Sequence, residues 1–269
     1  MKRSLFFLCA VAAIAVACEK NNNQEGEVQD PNTVVYDGVT YKTVTLSNGQ
    51  TWMAEPLRYL PEGKTADGNG IWNPYKVVDG AAVELTDAES IAKYGYLYDA
   101  ATIFGAAIDV NNVTSFEGAQ GICPDGWHIP TKAEWTGFCG YAQSATLSDG
   151  SKAEEILVET APIYNADYKG GCVTNAQAAD WNPVLSGCVI SGKYNVQLVS
   201  TGEQSVGALK MNYFAGSTGH IGSNGKSVQF WALMSSFSTA YTEGRLHVSF
   251  NNATNGVQVR CIKDGWTAK

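Results

Sequence analysis

Between Val34 and Met53 the chain alternates β-branched and aromatic residues with polar ones, and the run is broken by Asp37-Gly38 and Asn48-Gly49. Both dipeptides favour the positive φ of tight hairpin turns, which predicts a β-meander of three short strands. Composition extends that constraint. With 28 Gly, 13 Tyr and 7 Trp in 269 residues and only 16% charged side chains, the chain is unlike a helical bundle or coiled coil, and 45% hydrophobic residues suffice for one sizeable core.

Residues 61–93 carry Gly, Asp, Asn and Pro around Trp72 and Tyr75 and read as a long loop with a short helix near Asp87–Lys93. In the Ala-rich stretch Tyr98–Ile108, Ile103, Phe104 and Ile108 fall at helical spacing, predicting a helix of roughly two to three turns. Thr131 stands three residues before Glu134, the reciprocal capping box, and Trp135, Phe138 and Cys139 follow as an apolar stripe. Farther on, Val228–Met234, Leu246–Phe250 and Val257–Ile262 are strand-like and joined by Gly-, Asn- and Ser-rich loops. Trp52, Trp127, Trp135 and Trp231 lie in these patterned segments and are assigned to the core. Gly216, Gly219, Gly222 and Gly225 recur at every third position without proline, which suits a mobile or tightly turning surface loop rather than collagen-like structure.

Lys2 and Arg3 precede an apolar run from Leu5 to Ala17, the pattern of a secretory signal and too short to span a bilayer comfortably. The run ends Ala15-Val16-Ala17-Cys18, similar to the bacterial lipoprotein signal that is cleaved before a lipid-bearing cysteine. Residues 1–17 are therefore expected as signal peptide, Cys18 as the lipidated residue and 18–33 as a polar tether. Loss of Lys2 and Arg3 takes the net charge from −8 to −10, and an acidic chain does not suit nucleic acid as a main partner. The expected location is the cell envelope, at the outer membrane, with the lipid as the only membrane contact.

Cys123, Cys139, Cys172, Cys188 and Cys261 then remain in an oxidising compartment, an odd number without any C-x-x-C spacing. They read as structural, with Cys139 as a buried inert thiol.

Four segments carry a resemblance: Tyr41-Lys42-Thr43-Val44 with Gln50-Thr51-Trp52-Met53-Ala54-Glu55; Tyr94-Gly95-Tyr96-Leu97-Tyr98; Gly121-Ile122-Cys123-Pro124-Asp125-Gly126-Trp127-His128-Ile129-Pro130-Thr131; and Gly256-Val257-Gln258-Val259-Arg260-Cys261-Ile262-Lys263-Asp264. In this order the chain resembles the Fibrobacter succinogenes major paralogous domain, a family of exported bacterial proteins common in the Bacteroidetes, from about Val34 to Asp264. It departs from the family at Pro56 and diverges over 144–212. The family is in turn similar to the C-type-lectin-like fold of sulfatase-modifying factors. The resemblance implies an α+β domain over 34–264, followed by a tail at 265–269, with twisted antiparallel sheets, two main short helices and long ordered loops. It also implies a Cys123–Cys261 disulfide; Cys172 with Cys188 is the second expected pair, both lying beside Gly in loop-like sequence.

Motifs for chemistry are sparse. His128, His220 and His247 have no metal-ligand spacing, and His128 reads as a turn histidine. Gly225-Lys226-Ser227 mimics the end of a phosphate loop but continues as strand, so no nucleotide is expected. Asp67-Gly68-Asn69-Gly70 offers oxygen ligands that leave calcium a candidate but lacks the later acids of an EF-hand, and no other cofactor is expected. Glu154 and Glu155 are adjacent and make a poor glycosidase dyad. The carbohydrate-coordinating triplets of lectins and the oxidising cysteine pair of sulfatase-modifying factors are missing from the sequence. Trp72, Tyr75, Tyr164, Tyr168, Trp181 and Tyr213 lie in Asn- and Gly-rich stretches and are the candidate binding aromatics. The expected function is non-catalytic adhesion or recognition of a glycan or surface protein. A structural or accessory subunit of a surface appendage is the alternative, and an envelope enzyme is a third reading.

Overall fold

The structure, a computed structural model, describes residues 30–46, 48–143, 155–158, 181, 184, 186–197, 211–237 and 244–267. The signal segment, Cys18, nearly all of the expected tether, Tyr164, Tyr168 and Cys172 lie outside them. Asn32–Lys269 forms one compact unit.

The expected meander is present as β1 (Thr33–Tyr36), β2 (Val39–Thr45) and β3 (Thr51–Met53). Asp37 (φ 49°) and Gly38 (φ 72°) supply the consecutive positive φ angles that a twisted two-residue hairpin needs. The expected loop over 61–93 is more ordered than the sequence reading had it. Besides the expected short helix, α1 (Ala88–Tyr94), it holds the strands β4 (Ile71–Trp72), β5 (Tyr75–Val78) and β6 (Ala81–Glu84). After β7 (Leu97–Tyr98) comes α2 (Ala100–Phe104), shorter than the helix expected over 98–108. Asp99 caps it late, accepting from the Thr102 N–H at 2.8 Å, and Gly105 at φ 64° ends it before Ile108.

A 3₁₀ turn (Val113–Phe116), β8 (Trp127–His128) and α3 (Lys132–Gln143) follow. The remaining strands are β9 (Glu155–Val158), β10 (Val189–Ile190), β11 (Lys193–Tyr194), β12 (Met211–Phe214), β13 (Gly219–Ile221), β14 (Val228–Phe237), β15 (Gly244–Asn252), β16 (Val257–Gln258) and β17 (Ile262–Lys263). The fold is α+β and predominantly antiparallel. One sheet runs β1-β2-β3-β17-β8 and a larger one β4-β7-β16-β12-β14-β15-β9, with β13 added to β14. The β12–β16 pair is parallel, through Phe214 and Gln258.

The two strands nearest the C-terminus join the sheets: β16 lies in the larger, β17 in the smaller, and Val259–Cys261 connects them. At this junction Cys261 is bonded to Cys123, as the resemblance implied. Around it pack Tyr41, Met53, Leu57, Ile71, Tyr98 and Val259. A second aromatic group lies under α3, where Trp52 stacks on Trp135 at 4.6 Å and Phe138 and Trp181 pack at 4.8 Å. The glycines at every third position are tightly packed rather than mobile. A Cβ on Gly216 would stand 1.8 Å from the Trp231 carbonyl oxygen, and one on Gly219 2.0 Å from that of Val113. Gly222 and Gly225 form the β13–β14 turn, the Gly225 N–H donating to the Gly222 carbonyl.

Candidate functional site

Most of the expected binding aromatics are structural. Trp72 and Tyr75 are 5% and 0% exposed and pack with Leu97 and Val189, because the segment around them is strand rather than loop. The Tyr75 hydroxyl donates toward the Asn195 carbonyl at 2.7 Å. Trp181 is buried among Trp52, Trp135, Phe138 and Phe214. Tyr213 is half-buried against the main core, and burial pushes its hydroxyl pKa up to about 12. These residues do not converge on a site. Cys188 carries a free thiol, fully buried, rather than half of the bridge expected with Cys172. Burial pushes its pKa up to about 12, so it is protonated and inert at neutral pH. Asp67 serves its own turn, accepting from the Asn69 N–H and the Thr65 hydroxyl.

A different place gathers exposed polar groups around an aromatic ring, at the start of α3. The capping box is complete: Glu134 N–H donates to Thr131 Oγ1 at 3.1 Å, while Thr131 N–H donates to Glu134 Oε2 at 2.8 Å. The same carboxylate meets His128 Nε2 at 2.9 Å, and His128 Nδ1 meets Asp264 Oδ1 at 2.6 Å. His128 thus ties the first turn of α3 to the chain just after β17. Beyond Asp264 the chain turns through Gly265, and Trp266 lies against α3 at Gly137. A Cβ on Gly137 would stand 2.6 Å from Trp266 Cη2, so only glycine lets the indole approach the helix here. Trp266 Nε1–H donates to the Asn48 carbonyl at 3.1 Å, and Asn48 Nδ2 donates to the Gly137 carbonyl at 3.3 Å. The expected tail at 265–269 is therefore fastened to the domain at its second residue, Trp266.

Two clefts border Trp266. The larger, about 530 Å³, is lined by Glu117, Lys132, Ala133, Thr136 and Thr218 as well as the indole. The smaller, about 320 Å³, includes Thr51, Lys263, Asp264 and Thr267. Both volumes are within the range of small-ligand sites. Lys132 donates its backbone N–H to Thr218 Oγ1 at 2.7 Å and sets its ammonium 3.6 Å from the Trp231 ring centroid. Trp231, expected in the core, is only half-buried. It lies on the sheet surface 4.1 Å from Phe250, whose other neighbour, His220, is at 4.0 Å.

Sequence reasoning missed Trp266, Lys132, Glu117 and Thr218. The available signal was Gly137: a glycine inside a capped amphipathic helix costs about 1 kcal/mol against alanine and calls for a packing reason. Gly137→Ala is expected to gain that propensity while displacing Trp266. Iodide quenching of tryptophan emission should rise in this variant and not when the same change is made in a Trp266→Phe background; equal quenching in both would contradict the contact.

The His128 bridge has a pH signature. Burial by itself lowers the imidazole pKa, but the hydrogen bonds and charges of Glu134 and Asp264 outweigh it and raise the net value above the ordinary one. Its folded value then exceeds the unfolded value of about 6.5, so the stabilisation is full below about pH 6.5 and is lost as pH rises through the folded pKa. Melting temperature should fall over that window, and His128→Asn should flatten the dependence. An unchanged slope in the variant would assign it to other groups.

Among the described residues no group of three His, Cys, Asp or Glu side chains is placed to hold a metal ion, and no helix is long and apolar enough to cross a membrane. Neither the curated proteins nor the solved structures yield a match. A family model does match, over residues 47–263, taking in β3 of the meander, the disulfide, the capped helix and the β16–β17 junction but stopping three residues short of Trp266. The chain belongs to the family of the Fibrobacter succinogenes major domain.

Proposed function

We propose that this chain is a lipid-anchored envelope protein, held at the outer membrane through Cys18, which displays a C-type-lectin-like domain for non-catalytic recognition of a glycan or surface protein. The observation that carries the reading is the half-buried Trp266 between two clefts that offer hydroxyl, ammonium and carboxylate groups at the surface. An aromatic face beside fixed polar groups is a general recognition device, because the ring contributes apolar area at little entropic cost while the polar groups set orientation. The lipobox-like end of the signal segment and the polar stretch after it support display on a tether.

The full chain, purified from envelopes, is expected to bind members of a glycan array or to retain a surface protein, and Trp266→Ala to lose that binding while the domain remains folded, with a melting temperature lowered only by the lost packing and the Asn48 hydrogen bond. Silence in both assays, matching a denatured control, would overturn the reading. Cys18→Ala is expected to move the protein out of the membrane fraction; continued fractionation with membranes would contradict the anchor.

A further inference from the structure

We infer that the ligand is an uncharged oligosaccharide that lies across Trp266 with sugar units in both clefts, rather than a single sugar or an acidic glycan. The inference rests on the recognition function just proposed and specifies its ligand.

Three observations lead to it. First, the clefts are neighbours: Trp266 borders both, so a ligand in contact with the indole can extend into each. The indole is fixed in that position by its hydrogen bond to the Asn48 carbonyl and by the space at Gly137. Fixing an aromatic platform in advance lowers the ordering cost of binding.

Second, each cleft presents one acid and one base: Glu117 with Lys132 in the larger, Asp264 with Lys263 in the smaller. With one acidic and one basic side chain among its lining residues, neither cleft presents a field of a single sign that would select an anion or a cation. Glu117 and Asp264 bring carboxylate acceptors and Lys263 an ammonium donor, with the Lys132 ammonium held over the neighbouring Trp231 ring, a mixture that suits hydroxyl groups, each of which both donates and accepts. Asp264 already accepts from His128, which orients its carboxylate at the cleft wall.

Third, the remaining lining is small: beside Ala133, Asn48 and three glycines it is threonine. Thr136 and Thr218 face the larger cleft and Thr51 and Thr267 the smaller, with Ala133 the one purely aliphatic side chain in the larger. Threonine offers a methyl and a hydroxyl on one short side chain, matching the alternating C–H and O–H surface of a pyranose. A peptide ligand would be expected to use deeper apolar pockets for its anchoring side chains.

The test is a chain-length series: the full chain titrated calorimetrically with neutral gluco-, manno- and xylo-oligosaccharides and with N-acetylglucosamine oligomers, from one to six units, alongside oligogalacturonates as the acidic arm. Affinity in at least one neutral series is expected to rise about tenfold or more from one unit to three and then level off. Lys263→Ala, an exposed position in the smaller cleft, is expected to weaken the longer ligands several-fold, more than it weakens the single sugar, while Trp266→Ala weakens all of them. Equal affinity for one unit and six, or preference for the acidic series, overturns the inference while leaving glycan recognition standing. Retention of a surface protein through Trp266 with no response in any sugar series overturns it and leaves recognition of a protein. Silence toward sugars and proteins alike overturns both.

Discussion

Reduction of the Cys123–Cys261 disulfide is expected to cost about 5 kcal/mol of stability, since the bond closes a loop over 138 residues and so removes much of the unfolded chain's freedom. For a domain of this size that is on the order of 10–20 °C in melting temperature. The location makes the effect cooperative. Cys261 lies between β16 and β17, where the larger and the smaller sheet meet, and its carbonyl accepts from the Met53 N–H at 3.0 Å. Loosening it frees β17, which is the central link between the meander and β8. Both cysteines are buried, so reductant alone acts slowly. The measurement is the denaturant midpoint of the oxidised protein with and without reductant. A midpoint that moves by less than the equivalent of about 1 kcal/mol would mean that the unfolded chain is not restrained by this bond.

The second large effect is at the neighbouring residue. Arg260 is fully buried with its guanidinium 4.7 Å from the Trp181 ring centroid. Its Nη1 donates to the Trp181 carbonyl and its Nε to Gln258 Oε1 at 3.3 Å. Gln258 in turn donates to the Val184 carbonyl at 2.9 Å. Together they hold Trp181 and Val184 against the larger sheet. Burial pushes the guanidinium pKa down to about 9, which leaves it charged at neutral pH. Arg260→Ala removes a large buried side chain and strips hydrogen bonds from buried carbonyls, and is expected to cost about 3–5 kcal/mol. Arg260→Lys keeps the charge but not the planar fork, and is expected to lose a substantial part of the same amount. Equilibrium unfolding of both variants checks the order. A loss below about 1 kcal/mol in Arg260→Ala would show that the side chain is not holding this junction.

How much of this was legible in the sequence depends on how local the signal is. The Asp37-Gly38 and Asn48-Gly49 turns and the Thr131–Glu134 capping box are local physics, and each is found where its residues stand. Asp79-Gly80 is the same signal between Val77-Val78 and Ala81-Ala82, and it forms the β5–β6 hairpin inside the segment expected to be loop. The abundance of Gly, Asn and Asp around it outweighed the dipeptide, though such residues flank the two-residue strands β4 and β7, as Gly70, Asn73, Gly95 and Asp99 do. Strands this brief carry almost no periodicity of their own and are held by pairings distant in sequence. Ile71, for example, lies opposite Tyr98. That is why Trp72 and Tyr75 resembled exposed loop aromatics but are core.

The site was less legible still. Trp266 has no motif around it and comes after the matched region, and its importance depends on contacts with Asn48 and Gly137, more than a hundred positions away. Lys132 and Thr218 are brought together only because α3 starts where β13 begins, through the Lys132 N–H to Thr218 bond. The pairing of His128 with both Glu134 and Asp264 was equally hidden, since only the Thr131–Glu134 half of that network falls within one helical turn.

The central claim is that ligand binds against Trp266. The most direct measurement is the indole N–H resonance of Trp266, assigned by its loss in Trp266→Phe, followed as a glycan or protein ligand found by the array or retention assay is added. The Trp266 resonance is expected to shift with ligand concentration while those of the buried Trp52 and Trp135 stay in place. Saturable binding that leaves the Trp266 resonance unmoved would contradict the claim.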